Sequence, residues 1–149
     1  MNNIIYIPVL GMPEIKASDN IPELIIDCLR KNKEQLIDND ILIVTQKIVS
    51  KSENRVINLK SITPNRKALN LSESLKKDAR LIQLILNESK SIIKLDKKRG
   101  IIITENNNGH ISANSGIDFS NIKGEDNASL LPKNPDASAK RIHDDFINK

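Results

Sequence analysis

Four consecutive aliphatic residues closed by a threonine, Ile41–Thr45 (ILIVT), follow the turn pair Asn39-Asp40. A short continuous apolar run of this kind suits a strand buried on both faces, with helices packed around it. The surrounding pattern fits that demand. Ile21, Leu24, Ile25 and Cys28 recur at i, i+3, i+4 and i+7 after Asp19, the stripe of a half-buried helix. Ile4–Leu10 (IIYIPVL) reads as a first strand broken by Gly11 and Pro13. Gln46–Lys51 (QKIVSK) begins where the ILIVT strand ends.

Farther along, Thr63-Pro64 opens a segment read as helical through Lys76. Asp78 resembles an N-cap for a helix through Asn87, with Leu81, Leu84 and Ile85 inward. From Ser91 the period changes. SIIKL, GIIIT and HISA are separated by charged or Asn/Gly segments, and Asn108-Gly109 signals a type I′ hairpin. Residues 91–113 therefore read as a small antiparallel meander. NSGIDFSN follows as a loop and SLLP as a short extended piece. Asn134-Pro135 starts a last helix with Ala139, Ile142 and Phe146 on one face. The expected class is mixed α/β: buried short strands with flanking helices, plus the meander.

Composition narrows the function. Aromatics are only 2% of the 149 residues, so the core is built from Ile, Leu and Val, and stacking platforms for single-stranded nucleic acid are lacking. The formal charge of +4 favours anionic partners such as nucleotides or phosphorylated metabolites. Lys and Asp/Glu are interleaved, however, so a nucleic-acid partner is not expected. A single cysteine, Cys28, excludes an internal disulfide, and its place on the helical stripe makes it structural. Residues 1–10 are too short for a signal peptide, and no apolar run reaches the ~18 residues that span a bilayer. A cytoplasmic protein without membrane association is expected.

Common signatures are absent. None of the five glycines forms a P-loop or dinucleotide fingerprint. His110 and His143 lack partners at metal-binding spacing and read as surface or strand-end residues. No G-x-S-x-G elbow is present.

Five collinear stretches are more specific: IPVLGMPEIKASD from Ile7, DILIVTQKIVSKSENRV from Asp40, KDARLIQLILNES from Lys77, ISANSGIDFSN from Ile111 and LLPKNPDASAKRI from Leu130. Together they resemble the coenzyme F-420-0:L-glutamate ligase (gamma-glutamyl ligase) family across nearly the whole chain. The resemblance implies an enzyme that joins L-glutamate to the deazaflavin coenzyme precursor, with GTP as co-substrate and Mg²⁺ or Mn²⁺ as cofactor, in a homodimer of mixed α/β fold. It assigns GTP binding to Leu10, Gly11, Met12, Pro13, Gln46, Lys51 and Asn121, and metal binding to Asp118. No catalytic residue is assigned.

Residue chemistry is compatible with these roles and with plainer ones. Gly11 lets backbone N–H groups approach a ligand, or simply makes a turn. Lys51 is a mobile point charge for phosphate. Gln46 offers an amide, with Lys47 beside it as a substitute. Asp118 presents hard oxygens to a divalent ion, or forms an Asx turn. The family's further metal ligands, in an Asp-Thr motif, are not matched here. The 149 residues are thus expected to be an amino-terminal portion without its carboxy-terminal part, which would cover the last helix. Weak GTP binding and no ligase activity are expected of them alone. The alternatives are a split enzyme or a non-catalytic nucleotide- or coenzyme-binding remnant.

Overall fold

The computed structural model describes residues 4–147, so residues 1–3 and 148–149 lie outside it. The backbone divides into two units. One comprises residues 1–54 and 135–149, and the other residues 55–134.

The first unit is built from helices. α1 (Ile21–Lys31) is capped by Asn20, whose side chain accepts from the Glu23 amide at 3.2 Å. The neighbouring Asp19 instead accepts from the Lys16 amide at 2.7 Å. Arg30 and Lys31 fill the last turn, where cations favour the carbonyl end of the helix dipole. α2 (Gln46–Ser52) continues the ILIVT run as a helix. α5 (Pro135–Ile147) places proline in its first turn. Ile21, Ile25, Leu29, Val49 and Ile142 form one buried cluster, on which Val9, Met12, Leu42, Val44, Ile48 and Phe146 rest. Cys28 is buried and free, as its stripe position demands.

Two expectations in this unit are corrected. Neither Ile4–Leu10 nor Ile41–Thr45 is a strand; both lack ladder pairing. Along the second segment Leu42 and Val44 pack on the helical cluster, whereas Ile41 and Ile43 remain 88% and 78% exposed. The run has the character of a doubly buried strand, but polypeptide covers only one of its faces. The last helix is not bare, because α5 packs on α1 and buries Ile142. Its inward face carries Ser138 and Ile142, with Phe146 half-buried, while Ala139 points to solvent.

The second unit is mixed. α3 (Arg66–Leu75) is capped by Asn65 and ends on Lys76 in the left-handed conformation. α4 (Ala79–Asn87) is capped by Asp78 and buries Ile82, Gln83, Leu84 and Ile85, while Leu81 is half-buried. β2 (Ser89–Asp96), β3 (Ile101–Asn106) and β4 (Ile111–Ala113) make the antiparallel meander in that order. β1 (Val56–Asn58), which the sequence pattern did not reveal, pairs antiparallel with β5 (Asn127–Ser129). Leu59, Leu75, Ile82, Ile85, Ile102, Ile117, Ala128 and Leu130 form an aliphatic core without aromatics.

The β3–β4 turn departs from type I′. Type I′ needs positive φ at both central residues, yet Gly109 is the sole residue of the turn with one, at +82°. The Gly109 amide donates to the Asn106 carbonyl and the Asn106 amide to the His110 carbonyl. A three-residue loop with its glycine in the left-handed position results.

Asp78 binds the Arg80 amide at 2.8 Å and the Arg80 guanidinium at 2.6 Å. The side-chain hydrogen bond from Arg80 holds its carboxyl below the usual aspartate range, against an opposing effect of burial. A depressed folded-state pKa contributes stability above the ordinary carboxyl range and loses it as pH falls through the depressed value. Asp78→Ala should therefore cost about 1 kcal/mol in chemical denaturation at neutral pH. Asp78→Asn should retain most of the cap, and the Asp-to-Asn difference should shrink on acidification.

Candidate functional site

The residues assigned to GTP fall mostly in the first unit. At the end of the amino-terminal extended segment, Leu10 and Gly11 form a turn. The Leu10 carbonyl accepts from Asn32 Nδ2 at 3.0 Å, and the same amide group reaches the Cys28 carbonyl at 2.7 Å. One side chain thus ties the turn to the end of α1. Gly11 has φ +80°, and a Cβ there would meet nothing within 4 Å. The backbone on this side is open, as a close-approach role needs and as an ordinary turn also permits. Leu10 and Pro13 are exposed, while Met12 is half-buried on the helical cluster.

Gln46 opens α2 and donates to Ser50 Oγ at 2.6 Å, one helical turn on. Lys51, in the last turn, places Nζ 2.6 Å from Glu14 Oε1. Its side chain is only 14% exposed, so it is held rather than freely solvated. An ammonium has three donors. The Glu14 carboxylate accepts from it and fixes its position.

Asp118 and Asn121 belong to the second unit, in the loop after β4. Ile117 is buried in the aliphatic core and anchors this loop. Asp118 is half-buried. Its backbone bridges to Ser129, with N–H···O distances of 3.1 and 2.8 Å. Its two carboxylate oxygens accept from the Ser120 amide and the Ser120 hydroxyl, each at 2.8 Å. The side chain therefore does form an Asx turn. Asn121 is exposed, with φ +55°.

The segment before Asp118 is conformationally unusual. Asn114, Ser115 and Gly116 have φ +52°, +58° and +74°, three left-handed residues in succession. Non-glycine residues in this region are strained, and such strain concentrates at functional sites. A Cβ on Gly116 would stand 2.6 Å from Leu131 Cδ1, so a larger residue there would also force the Leu131 side chain to shift.

Comparison with known proteins places these residues in context. Residues 10–149 match the family model described as F420-0:Gamma-glutamyl ligase. The chain belongs to that family. It is 41% identical over 139 residues to the coenzyme F420:L-glutamate ligase of Methanothermobacter thermautotrophicus, covering 93% of this chain and 54% of that protein. It is 39% identical to the ligase of the same name from Methanocaldococcus jannaschii, over 89% of this chain and 50% of that protein. The corresponding protein of Archaeoglobus fulgidus is 32% identical over 91% of this chain and 51% of its own length. The chain spans about half the length of the curated relatives it matches.

Other features of this chain escaped the sequence pattern. Arg55 donates from Nε to the Leu131 carbonyl at 2.9 Å and from Nη2 to Glu88 Oε2 at 2.5 Å. The Glu88 carbonyl in turn accepts from Ser115 Oγ at 3.0 Å. This chain of bonds fastens the strained turn to the end of α4 and to residue 131. Arg55 and Glu88 lie 33 positions apart in neutral-looking contexts, and no periodicity flags such a pair. Three cavities, of ≈ 670, ≈ 470 and ≈ 280 Å³, lie within single units. None of them is lined by Leu10, Gly11, Met12, Pro13, Gln46, Lys51, Asp118 or Asn121. Among the described residues no group of three or more His, Cys, Asp or Glu side chains could hold a metal ion.

The two glycines separate conformational strain from steric demand. Gly116→Ala should cost about 3 kcal/mol, through positive φ and collision with Leu131. Gly11→Ala meets no neighbour and should cost about 1 kcal/mol or less. Urea unfolding of both variants measures the difference.

Proposed function

We propose that this chain serves the joining of the L-glutamate α-amine to a carboxylate of coenzyme F-420-0, with GTP as phosphoryl donor. The family match across residues 10–149 carries the reading. A carboxylate oxygen of the coenzyme attacks the γ-phosphorus, the bond between that phosphorus and its bridging oxygen breaks, and GDP leaves. The amine of glutamate then attacks the acyl carbon, the phosphate departs, and the amine's protons pass to water. Each step moves negative charge near phosphate, so the protein's task is positioning and electrostatic stabilisation.

The proposed roles follow from the geometry of each residue. Lys51, kept in place by Glu14, is a cation for a phosphate oxygen. Gly11 presents open backbone in the Leu10–Pro13 turn, and Gln46 and Asn121 offer amides. Asp118 is the one assigned ligand for Mg²⁺ or Mn²⁺. A bound divalent ion would neutralise phosphate charge. Magnesium commonly takes one or two carboxylates and completes its shell with phosphate and water, and Asp118 would supply one of those carboxylates. The Ser120 bonds hold that carboxylate in one orientation. No helix of the described residues is long and apolar enough to cross a membrane. The homodimer and the cytoplasmic setting belong to the same proposal, supported by the resemblance and, for the reducing compartment, by the unpaired Cys28.

A second reading keeps nucleotide binding and drops catalysis. It is favoured by the described residues, among which no group of three or more His, Cys, Asp or Glu side chains could hold a metal ion. GDP release should be measured with F-420-0 and L-glutamate, for the chain alone and together with the unmatched remainder of the Methanothermobacter relative as a second polypeptide. Glutamate-dependent release in the mixture supports the ligase. Lys51→Ala should then raise the KM for GTP about tenfold, the loss of one charge-assisted hydrogen bond. No release in either sample, with GTP still raising the melting temperature of both wild type and Asp118→Ala, selects the binding module.

A further inference from the structure

A cavity of ≈ 280 Å³ in the second unit is lined by Arg55, Glu88, Asn106, Ser115 and Lys133, among others. None of these belongs to the proposed GTP or metal set. The Arg55 side chain is only 13% exposed, yet among the described residues it uses two of its five N–H donors, on the Leu131 carbonyl and on Glu88. Asn106 is 4% exposed. Its Oδ1 accepts from the Asn108 and His110 amides, each at 2.9 Å, which fixes the amide's orientation. Its Nδ2 donates to no described residue. Among the described residues, the enclosed side-chain atoms without a partner belong to Thr104, Ser112 and Asn114. The spare donors of Arg55 and Asn106 are therefore not sealed in protein, and they open on the cavity that both residues line. The exposed Lys133 adds an ammonium that pairs with no described carboxylate. Two cations against Glu88 leave a surplus of one positive charge. That surplus, with fixed planar donors, matches a carboxylate. A phosphate dianion would stand against Glu88 with half its charge unmatched. The volume lies at the low end of ligand sites, which suits a small acid rather than a nucleotide or a deazaflavin.

From these observations we infer that the cavity beside Arg55 holds the side-chain carboxylate of L-glutamate. The identity of the acid rests on the proposed ligase reading, and the chemistry of recognition rests on the cavity. Ligation consumes the α-amine, so the group that anchors glutamate must leave that amine free. The side-chain carboxylate is the anionic group farthest from it. Arg55 and Asn106 donate to its two oxygens, and Lys133 closes the charge balance from the exposed side. Binding at this remote end positions the amine without engaging it. Ser115 links the cavity to the candidate metal ligand. It forms part of the wall and stands in the strained turn of the loop that carries Asp118. Its hydroxyl donates to the Glu88 carbonyl, so the wall and that loop are fastened together.

Amide chemical shifts of the isotope-labelled full chain, titrated with L-glutamate in the absence of nucleotide, test the site without turnover. Millimolar L-glutamate should shift the resonances of Asn106, Ser115 and Lys133. L-glutamine, which has the same shape without the side-chain charge, should bind about tenfold more weakly. Lys133→Glu, at an exposed position, should weaken L-glutamate about tenfold, and Lys133→Arg should retain it. Lys94→Glu makes the same charge change at an exposed position of β2 and should leave binding unchanged. Resonances that stay still at the cavity overturn the inference. So do equal binding of L-glutamine, tighter binding of inorganic phosphate, or indifference to Lys133→Glu. The ligase reading fails separately: a chain that binds L-glutamate here, yet releases no GDP when mixed with the remainder of the relative, keeps this site and loses that activity.

Discussion

The burial of Ile117 in an aliphatic core is the contact on which the second unit's candidate chemistry depends. Ile117 is the residue next to Asp118, and it packs in one cluster with Ile82 and Ile85 of α4, Ile102 of β3 and Leu130 after β5. Without aromatic side chains, this core obtains its volume from branched residues, which have few rotamers and hold a fixed shape. The backbone bridge from Asp118 to Ser129 then leaves the carboxylate little freedom. Strain at Asn114, Ser115 and Gly116 persists because packing on one side and the Arg55–Glu88–Ser115 bonds on the other over-determine the turn.

The first unit has a different balance. Its helices satisfy one another through Ile21, Ile25, Leu29, Val49 and Ile142, and α5 is part of that cluster. Its extended segments are satisfied on one face only. The Leu10–Pro13 turn and Lys51 sit in this unit, beside its helical cluster. Lys51 illustrates how this matters for function. Its position is set by Glu14 and by α2.

Much of the helical and meander structure was legible because local chemistry and tertiary packing agree there. Asp78 caps α4 as its position before LIQLIL demands, and the antiparallel meander follows its change of period. The failures have physical causes. Ile41–Thr45 reads as a buried strand from its continuous apolar composition, but only Leu42 and Val44 pack on the helices and the segment has no ladder partner. Ala139 was placed inward by helical period alone; Ser138 goes inward because its hydroxyl bonds Glu53, which also pairs with Arg141. The candidate site divides in the same way. Asp118 and Gly116 stand in a distinctive motif, but Arg55 and Glu88 meet only through the fold.

The central claim is that Asp118 is a divalent-cation ligand in a GTP-using member of the gamma-glutamyl ligase family. Calorimetric titration of GTP into the chain, with and without Mg²⁺, tests it most directly. The account predicts binding that Mg²⁺ tightens in the wild type and fails to tighten in Asp118→Asn, which preserves the size of the side chain and the turn. Binding indifferent to Mg²⁺, or an Asp118→Asn variant that responds to Mg²⁺ as the wild type does, contradicts it.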